Sequence, residues 1–440
     1  MPAFAGIPRK DLVSYTLDYY ANETTPSKNF EMSTVTASST LAPEEQQGAV
    51  SPVPETIPAE TDAVVEKKER RLWQEEKLLK VKRFLKNVSP YLKVKEQFTD
   101  NILLDNDNEM SDFVTIADPG IEIKNKISKG GLDYRLVAGT ELVSYVRNHA
   151  KDTQLPYGGG FVKYNAKNYG VSVTTNIYRR RATSGELEVY NEATNREFID
   201  MWFFDYGSSF ETSFKKLKWG LQYYHNYTVY QQDDYVSSNR KRNNLALVSS
   251  LQITPKTNLL FDYVHGWIDT IKSKPGRWTY NKYWWGVSSA FNKLSGSLKY
   301  GYRSTDPTSG QRKYAGPTVK MRFDYQQTPR LVYNLELVNG LGEANLLDEG
   351  TAKIHGVLLG CNYLPLFNKR LRFATGVGYK EQNSEPDTRD KYLYVTLKPE
   401  YKLKKWLTIG IGYLYGTRMS NIATNKYKNN LGDLELTAEF

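Results

Sequence analysis

Asp433-Leu434-Glu435-Leu436-Thr437-Ala438-Glu439-Phe440, the last eight of 440 residues, divide their side chains by parity. Leu434, Leu436, Ala438 and Phe440 fall on one side and Asp433, Glu435, Thr437 and Glu439 on the other. A β-strand points successive side chains to opposite faces, so one face here suits lipid and the other water, as in a transmembrane barrel wall. A strand of this kind ending on an aromatic reads as a membrane-insertion signal, Leu434, Leu436, Ala438 and Phe440, presented to the barrel-assembly machinery. The terminal strand of a soluble sheet, buried on one face, has the same local pattern. The rest of the chain decides between lipid and water.

Composition favours a sheet between two membrane interfaces. The chain has 33 tyrosines and is 13% aromatic, and barrels carry aromatic girdles at both interfaces. Mean hydropathy is −0.59. No stretch approaches the roughly 18 apolar residues of a spanning helix. Any structure that crosses a bilayer must therefore be a closed barrel of outer-membrane type, lipid-bathed outside and integral to the membrane. One cysteine, Cys361, leaves no partner for an intramolecular disulfide, and His149, His225, His265 and His355 are too scattered for a metal site. No serine sits in a nucleophile elbow. An enzyme, a metal and a cofactor are all unexpected. The net charge of +10 and pI near 9.1 come from Lys and Arg spread along the chain instead of gathered on one helix, so no nucleic-acid partner is expected.

Residues 1–63 read as a disordered periplasmic tail, because from Asn22 to Ala63 they are rich in Ser, Thr, Pro and Glu with few large apolar side chains. Ala3-Phe4-Ala5 has the small-x-small form of a signal-peptidase site, a remnant of a leader over residues 1–5. Residues 64–90 are expected to contain a short basic amphipathic helix, with Leu78, Val81, Leu85 and Val88 at helical spacing. It is either a solvated linker or an element able to enter a pore from below.

From Tyr91 to Phe440 the reading is all-β: an antiparallel up-and-down barrel of about 18 strands, an even number as bacterial barrels require. Short turns and longer polar loops alternate. The turns are expected near 126–130, 165–168, 213–216, 254–257, 292–294, 326–329, 364–370 and 402–405, on the periplasmic side. The loops are expected near 101–109, 148–156, 180–196, 231–240, 269–278, 304–312, 339–350, 381–390 and 417–427, facing outward from the cell. None is long enough to leave much chain for an inward constriction. Pro119 and Pro399 interrupt candidate strands, where bulges are expected.

A barrel of this width can hold an aqueous lumen. Parity assigns to it Lys299, Arg303, Lys320, Arg322, Asp324, Glu336, Arg372, Lys398 and Glu400, along with Asp133 and Asp262. The excess of cations should attract small anionic solutes. Tyr145, Tyr224, Trp284 and Tyr394 share the inward parity and could serve as sugar-stacking platforms or as filler. Three readings follow: a porin for polar or anionic solutes, a conduit for surface-polysaccharide export, and a structural or adhesive barrel without an open pore. The partners expected are outer-membrane lipids and the transported solute or polysaccharide.

The first hairpin contains Asp100-Asn101-Ile102, then Ser111-Asp112-Phe113, then Pro119-Gly120-Ile121. Together with the terminal Phe440, it resembles the opening motif of a family of bacterial outer-membrane beta-barrel porins. The resemblance implies an outer-membrane barrel over Tyr91 to Phe440. Some similar barrels accompany polysaccharide export systems.

Overall fold

The computed structural model describes residues 87–104, 109–125, 131–183, 198–232, 239–270, 277–307, 313–343, 351–384 and 388–440. The expected tail, the expected helix as far as residue 86 and the 126–130 turn lie outside them. The strands are β1 Val88–Thr99, β2 Asp112–Asn125, β3 Gly131–Tyr145, β4 Thr153–Asn165, β5 Tyr169–Thr183 and β6 Phe198–Phe214. They continue as β7 Leu217–Tyr230, β8 Arg240–Thr254, β9 Thr257–Thr270, β10 Arg277–Phe291, β11 Leu294–Pro307 and β12 Tyr314–Thr328. The last six are β13 Leu331–Glu343, β14 Thr351–Tyr363, β15 Leu371–Ser384, β16 Thr388–Lys402, β17 Leu407–Ser420 and β18 Tyr427–Glu439.

Each strand pairs with its chain neighbours, and β1 pairs with both β2 and β18, which closes one 18-stranded sheet. The closing seam runs antiparallel from Tyr91 opposite Glu439 to Thr99 opposite Leu431. Closure leaves no unpaired edge, the condition for a sheet in lipid. Val88 to Pro90, expected at the end of the helix, already belong to β1. The ring of Pro90 disfavours the helical region for Ser89 and starts the strand early.

Large apolar side chains are exposed on one parity. On β17 Ile411 and Tyr413 are exposed while Gly410, Gly412 and Leu414 between and beside them are buried, and on β18 Leu434 and Leu436 are exposed while Glu435 is buried. Water would drive these apolar groups inside. The barrel is inverted, with its charges within.

Two-residue turns show how local sequence sets register. Lys215 (φ 51°) and Asn292 (φ 31°) adopt the left-handed conformation that tight hairpins demand, and Phe214–Leu217 and Phe291–Leu294 close in register. Thr254-Pro255-Lys256 and Thr328-Pro329-Arg330 cannot do this, because proline holds φ near −65°. In both, the threonine hydroxyl accepts the N–H two residues on, at 3.2 Å. The register then shifts between Gln252 and Thr254 and between Gln326 and Thr328.

These are the shifts seen among the described ladders, and the bulges expected at Pro119 and Pro399 form neither between β2 and β3 nor between β16 and its neighbours. Pairing breaks off at Ala117–Leu142 and resumes at Gly120–Gly139, and breaks off at Leu397–Tyr413 and resumes at Glu400–Gly410. The register is unchanged on either side. Each proline removes a ladder donor without adding a residue, and Pro399 keeps its pairing with Phe373 on its other side.

The strands also outrun the expected loops. β6 has 17 residues, where about 9–11 cross a bilayer. The 381–390 loop is corrected to a short connection, since β15 runs to Ser384 and β16 starts at Thr388. Above a bilayer a strand no longer needs an apolar outer face, so its polar residues read as loop. Arg179 and Arg181 of β5 lie in such a stretch, bonded to Asp200 of β6 at 3.1 and 2.8 Å.

The first connection was expected to be a polar outer loop, one of a set with little spare chain to fold inward as a constriction. Instead Ile102 and Leu103 are buried against Val114, Val143 and Tyr145, side chains of inward parity. The chain turns through Leu104 (φ 54°), and the Ile102 N–H donates to Met110 O at 2.8 Å. Three adjacent apolar residues after a polar strand end favour burial over exposure to water.

Candidate functional site: the inner wall

The side chains that alternate with the exposed apolar set point into the barrel. All nine residues expected there have this parity. Lys299 and Arg303, for example, alternate with the exposed Leu298, Tyr300 and Tyr302. The Lys299 ammonium lies 2.6 Å from Asp262, which the same reasoning had placed inside. Lys320 lies 3.9 Å from Glu336, and Arg322 3.9 Å from Asp324. Arg372 donates to Asn362 Oδ1 at 3.2 Å. Lys398 bridges Glu400 at 3.1 Å and Glu435 at 3.2 Å.

Parity alone could not find the next link. Glu435 of the terminal octet also meets Lys93 at 3.6 Å, and Asp433 meets Lys95 at 3.1 Å. An ion-pair chain thus crosses the closing seam from β16 to β1, on residues far apart in sequence. Beside it, Tyr157 donates to Asp118 at 2.5 Å, and its hydroxyl is hydrogen bonded to that of Tyr91. Gly120 and Gly139 make room: a Cβ on either would collide with the ring of Tyr91 or Tyr157.

Two residues of the opening motif serve the same seam, and a third serves the next connection. Asp100 accepts the Asn430 N–H and Nδ2, both at 2.7 Å, and Asn101 Nδ2 donates to Lys428 O at 2.9 Å. Asp112 receives the N–H groups of Arg147 and Asn148 at 3.0 and 3.1 Å, and so ties down the connection after β3. Its carboxylate organises backbone, as a charged acceptor does well.

Cations and rings form two further assemblies on the inward parity. The Tyr280 ring has the Lys282 ammonium 4.7 Å and the Arg303 guanidinium 5.0 Å from its centroid. The Tyr392 ring has Lys380 at 4.6 Å and Arg418 at 5.4 Å. Arg418 donates to Asp390 at 2.6 Å, both side chains almost wholly buried. Sequence reasoning missed Lys282, Lys380, Asp390 and Arg418, whose parity was hidden in stretches assigned to loops or left unassigned. Of the aromatic candidates, Tyr224 donates to Asp205 at 3.0 Å and Tyr394 stacks on Tyr392 at 6.1 Å. Tyr145 belongs to the apolar cluster of the first connection, and Trp284 lies buried in the wall.

The inner wall consists of two unequal arcs. Along β7 to β17 it bears Lys218, Arg240, Arg242, Lys282, Lys299, Arg303, Lys320, Arg322, Arg372, Lys380, Lys398 and Arg418 against Asp262, Asp324, Glu336, Asp390 and Glu400. From β18 through β1 to β6 acids prevail, with Asp433, Glu435, Asp112, Asp118, Glu122, Asp133, Glu141, Asp205 and Glu211 against Lys93, Lys95, Lys124, Arg135, Lys163 and Arg180. Opposed arcs of this kind set up a field across the bore.

No protein-family model matches the chain, and no curated protein matches it. Solved structures do. Pseudomonas aeruginosa OccK2 (OpdF) in complex with glucuronate gives a TM-score of 0.47 at 9% identity, with 81% of this chain and 99% of that chain covered. The outer membrane protein opdK of the same organism gives 0.45 at 11%, with 81% and 99% covered. The alcaligin outer-membrane receptor FauA of Bordetella pertussis gives 0.40 at 10%, with 80% and 76% covered. At such identities the likeness bears on fold alone.

Proposed function

We propose that this protein is an integral outer-membrane channel for small anionic solutes, with its short turns on the periplasmic side. The apolar outer face supports the membrane, and the basic arc from β7 to β17 carries the preference for anions. A low-dielectric wall with one prevailing sign raises the local concentration of the opposite charge. Arg322 contributes most directly, its side chain 49% exposed, while Lys299, Lys320 and Lys398 are partly exposed and biased by neighbouring acids. Polysaccharide export takes no support from the wall. Tyr145, Trp284 and Tyr394 are 1%, 5% and 3% exposed, which withdraws three of the four candidate rings from a passing sugar polymer.

Reversal potentials across a planar bilayer under a potassium chloride gradient test the proposal. The wild-type protein should prefer chloride, and small carboxylates such as glucuronate should carry current. The combined variant Lys299→Glu, Lys320→Glu, Arg322→Glu should move the reversal potential toward the cation value. A silent bilayer would leave the structural or adhesive barrel, and a conductance with no ionic preference in either protein would defeat the anion reading.

A further inference from the structure

Along the outward parity of the wall, one residue breaks the apolar belt. Glu96 of β1 is exposed on that face, cross-strand from Leu434 and between Val94 and Phe98. It lies below the Asp100–Asn430 pair and above Leu92, Leu436 and Phe440, all of them exposed apolar groups. Its two carboxylate oxygens accept the Thr115 hydroxyl of β2 at 3.0 and 2.9 Å. Among the described residues, no other charged side chain stands on this face within the belt. A carboxylate facing hydrocarbon is unfavourable, and such residues mark contact or function.

A strip of small residues runs beside it. Ala117 follows on β2, Ala138 of β3 is cross-strand from Gly158 of β4, and Gly432 of β18 is cross-strand from Phe98. A Cβ on Gly432 would meet nothing within 4 Å, and one on Gly158 nothing closer than 3.8 Å. The strip is narrow, bordered by the exposed rings of Phe98 and Phe113 above and by Leu132 and Leu136 below, while the far side of the belt carries Trp219, Phe261, Trp285 and Tyr300. Small residues let two walls approach closely, and polar groups then bond across the gap.

We propose that the outer face from β18 to β5 is an interface between copies of this chain in a closed cyclic oligomer. The inference rests on the membrane reading above. Its two flanks are complementary: β1 and β2 offer the Glu96 carboxylate, while β3 and β5 carry the outward hydroxyls of Thr140 and Thr175, and Tyr164 and Tyr169 stand exposed at the β4–β5 turn. Rotation about an axis parallel to the bore sets one flank against the other flank of the next copy, the head-to-tail contact that closes a ring. There Glu96 trades hydrocarbon for hydroxyl donors.

Native mass spectrometry of the full chain released from lipid vesicles reads the assembly. The wild-type protein should appear as a cyclic oligomer, and Glu96→Leu and Glu96→Gln should both shift it toward monomer while keeping the resistance to proteolysis of an inserted barrel. Cross-linking gives a second measure that retains Glu96. Ala117→Cys paired with Thr175→Cys, in a Cys361→Ser background, should form intermolecular disulfides under mild oxidation. The native Cys361, outward on β14 well outside the sector, should not. A vesicle-inserted wild-type monomer, an oligomer indifferent to both Glu96 variants, or cross-linking through Cys361 instead of the sector would overturn the interface. Failure to enter vesicles at all would instead overturn the membrane reading.

Discussion

Asp390→Ala should lower the unfolding free energy of the barrel by about 3–5 kcal/mol, the scale for removing one partner of a buried ion pair. Asp390 and Arg418 are cross-strand neighbours two residues out of register, β16 beside β17, with side-chain exposures of 2% and 0%. The Arg418 guanidinium also lies over the Tyr392 ring, which it shares with the Lys380 ammonium. Deleting the carboxylate leaves two cations at one ring without this counter-charge. Replacing it by an apolar group of similar volume does not help, because the guanidinium cannot give up its proton. Asp390→Asn, which keeps an acceptor for Arg418, should cost less than Asp390→Ala. Urea unfolding in lipid vesicles, followed by tryptophan fluorescence, measures both. A loss below about 1 kcal/mol for Asp390→Ala would show that the pair is effectively solvated.

Ile411→Arg should cost about 2–4 kcal/mol, the penalty for a guanidinium facing lipid near the midplane of a barrel wall. Ile411 is 59% exposed, flanked by the buried glycines Gly410 and Gly412 and cross-strand from Leu434. In water the same substitution would be neutral or favourable, since an exposed isoleucine gives way to a well-solvated cation. The sign of the effect therefore distinguishes the two solvents directly. Thr408→Arg is the control: on the same strand but the opposite face, it should change stability by less than about 1 kcal/mol. Equal costs at both positions would contradict the inside-out distribution of polarity.

The fold was legible because its signal is local. Leu407, Ile409, Ile411 and Tyr413 declare a face without reference to any other strand, and so do Val319, Met321 and Phe323. The alternation of short and long connections then orders the strands as neighbours. The same local signal misled above the membrane. Outside hydrocarbon nothing forces the outer face of a strand to be apolar, so the ends of β5, β13 and β15 read as loops. Proline was misjudged for a related reason: Pro119 and Pro399 remove donors, whereas the register shifts follow from what Thr254-Pro255 and Thr328-Pro329 do to a tight turn.

The inner wall was legible by sign and face, and illegible by partnership. Lys398 pairs with Glu400 on its own strand, which spacing suggests, and with Glu435 at the far end of the chain, which it cannot. Arg418 was overlooked because its stretch was assigned to a loop.

By itself the sequence determined which residues face outward, how many strands there are and that lipid suits their outer side, because period-two alternation is a property of each strand alone. The tertiary structure alone decided the meeting of β1 with β18, the ion-pair chain from Glu400 to Lys93, the inward turn of Ile102 and Leu103, and the isolation of Glu96 in an apolar belt. Those depend on the register at which the sheet closes on itself, and register is fixed by turns and pairings summed around the whole ring.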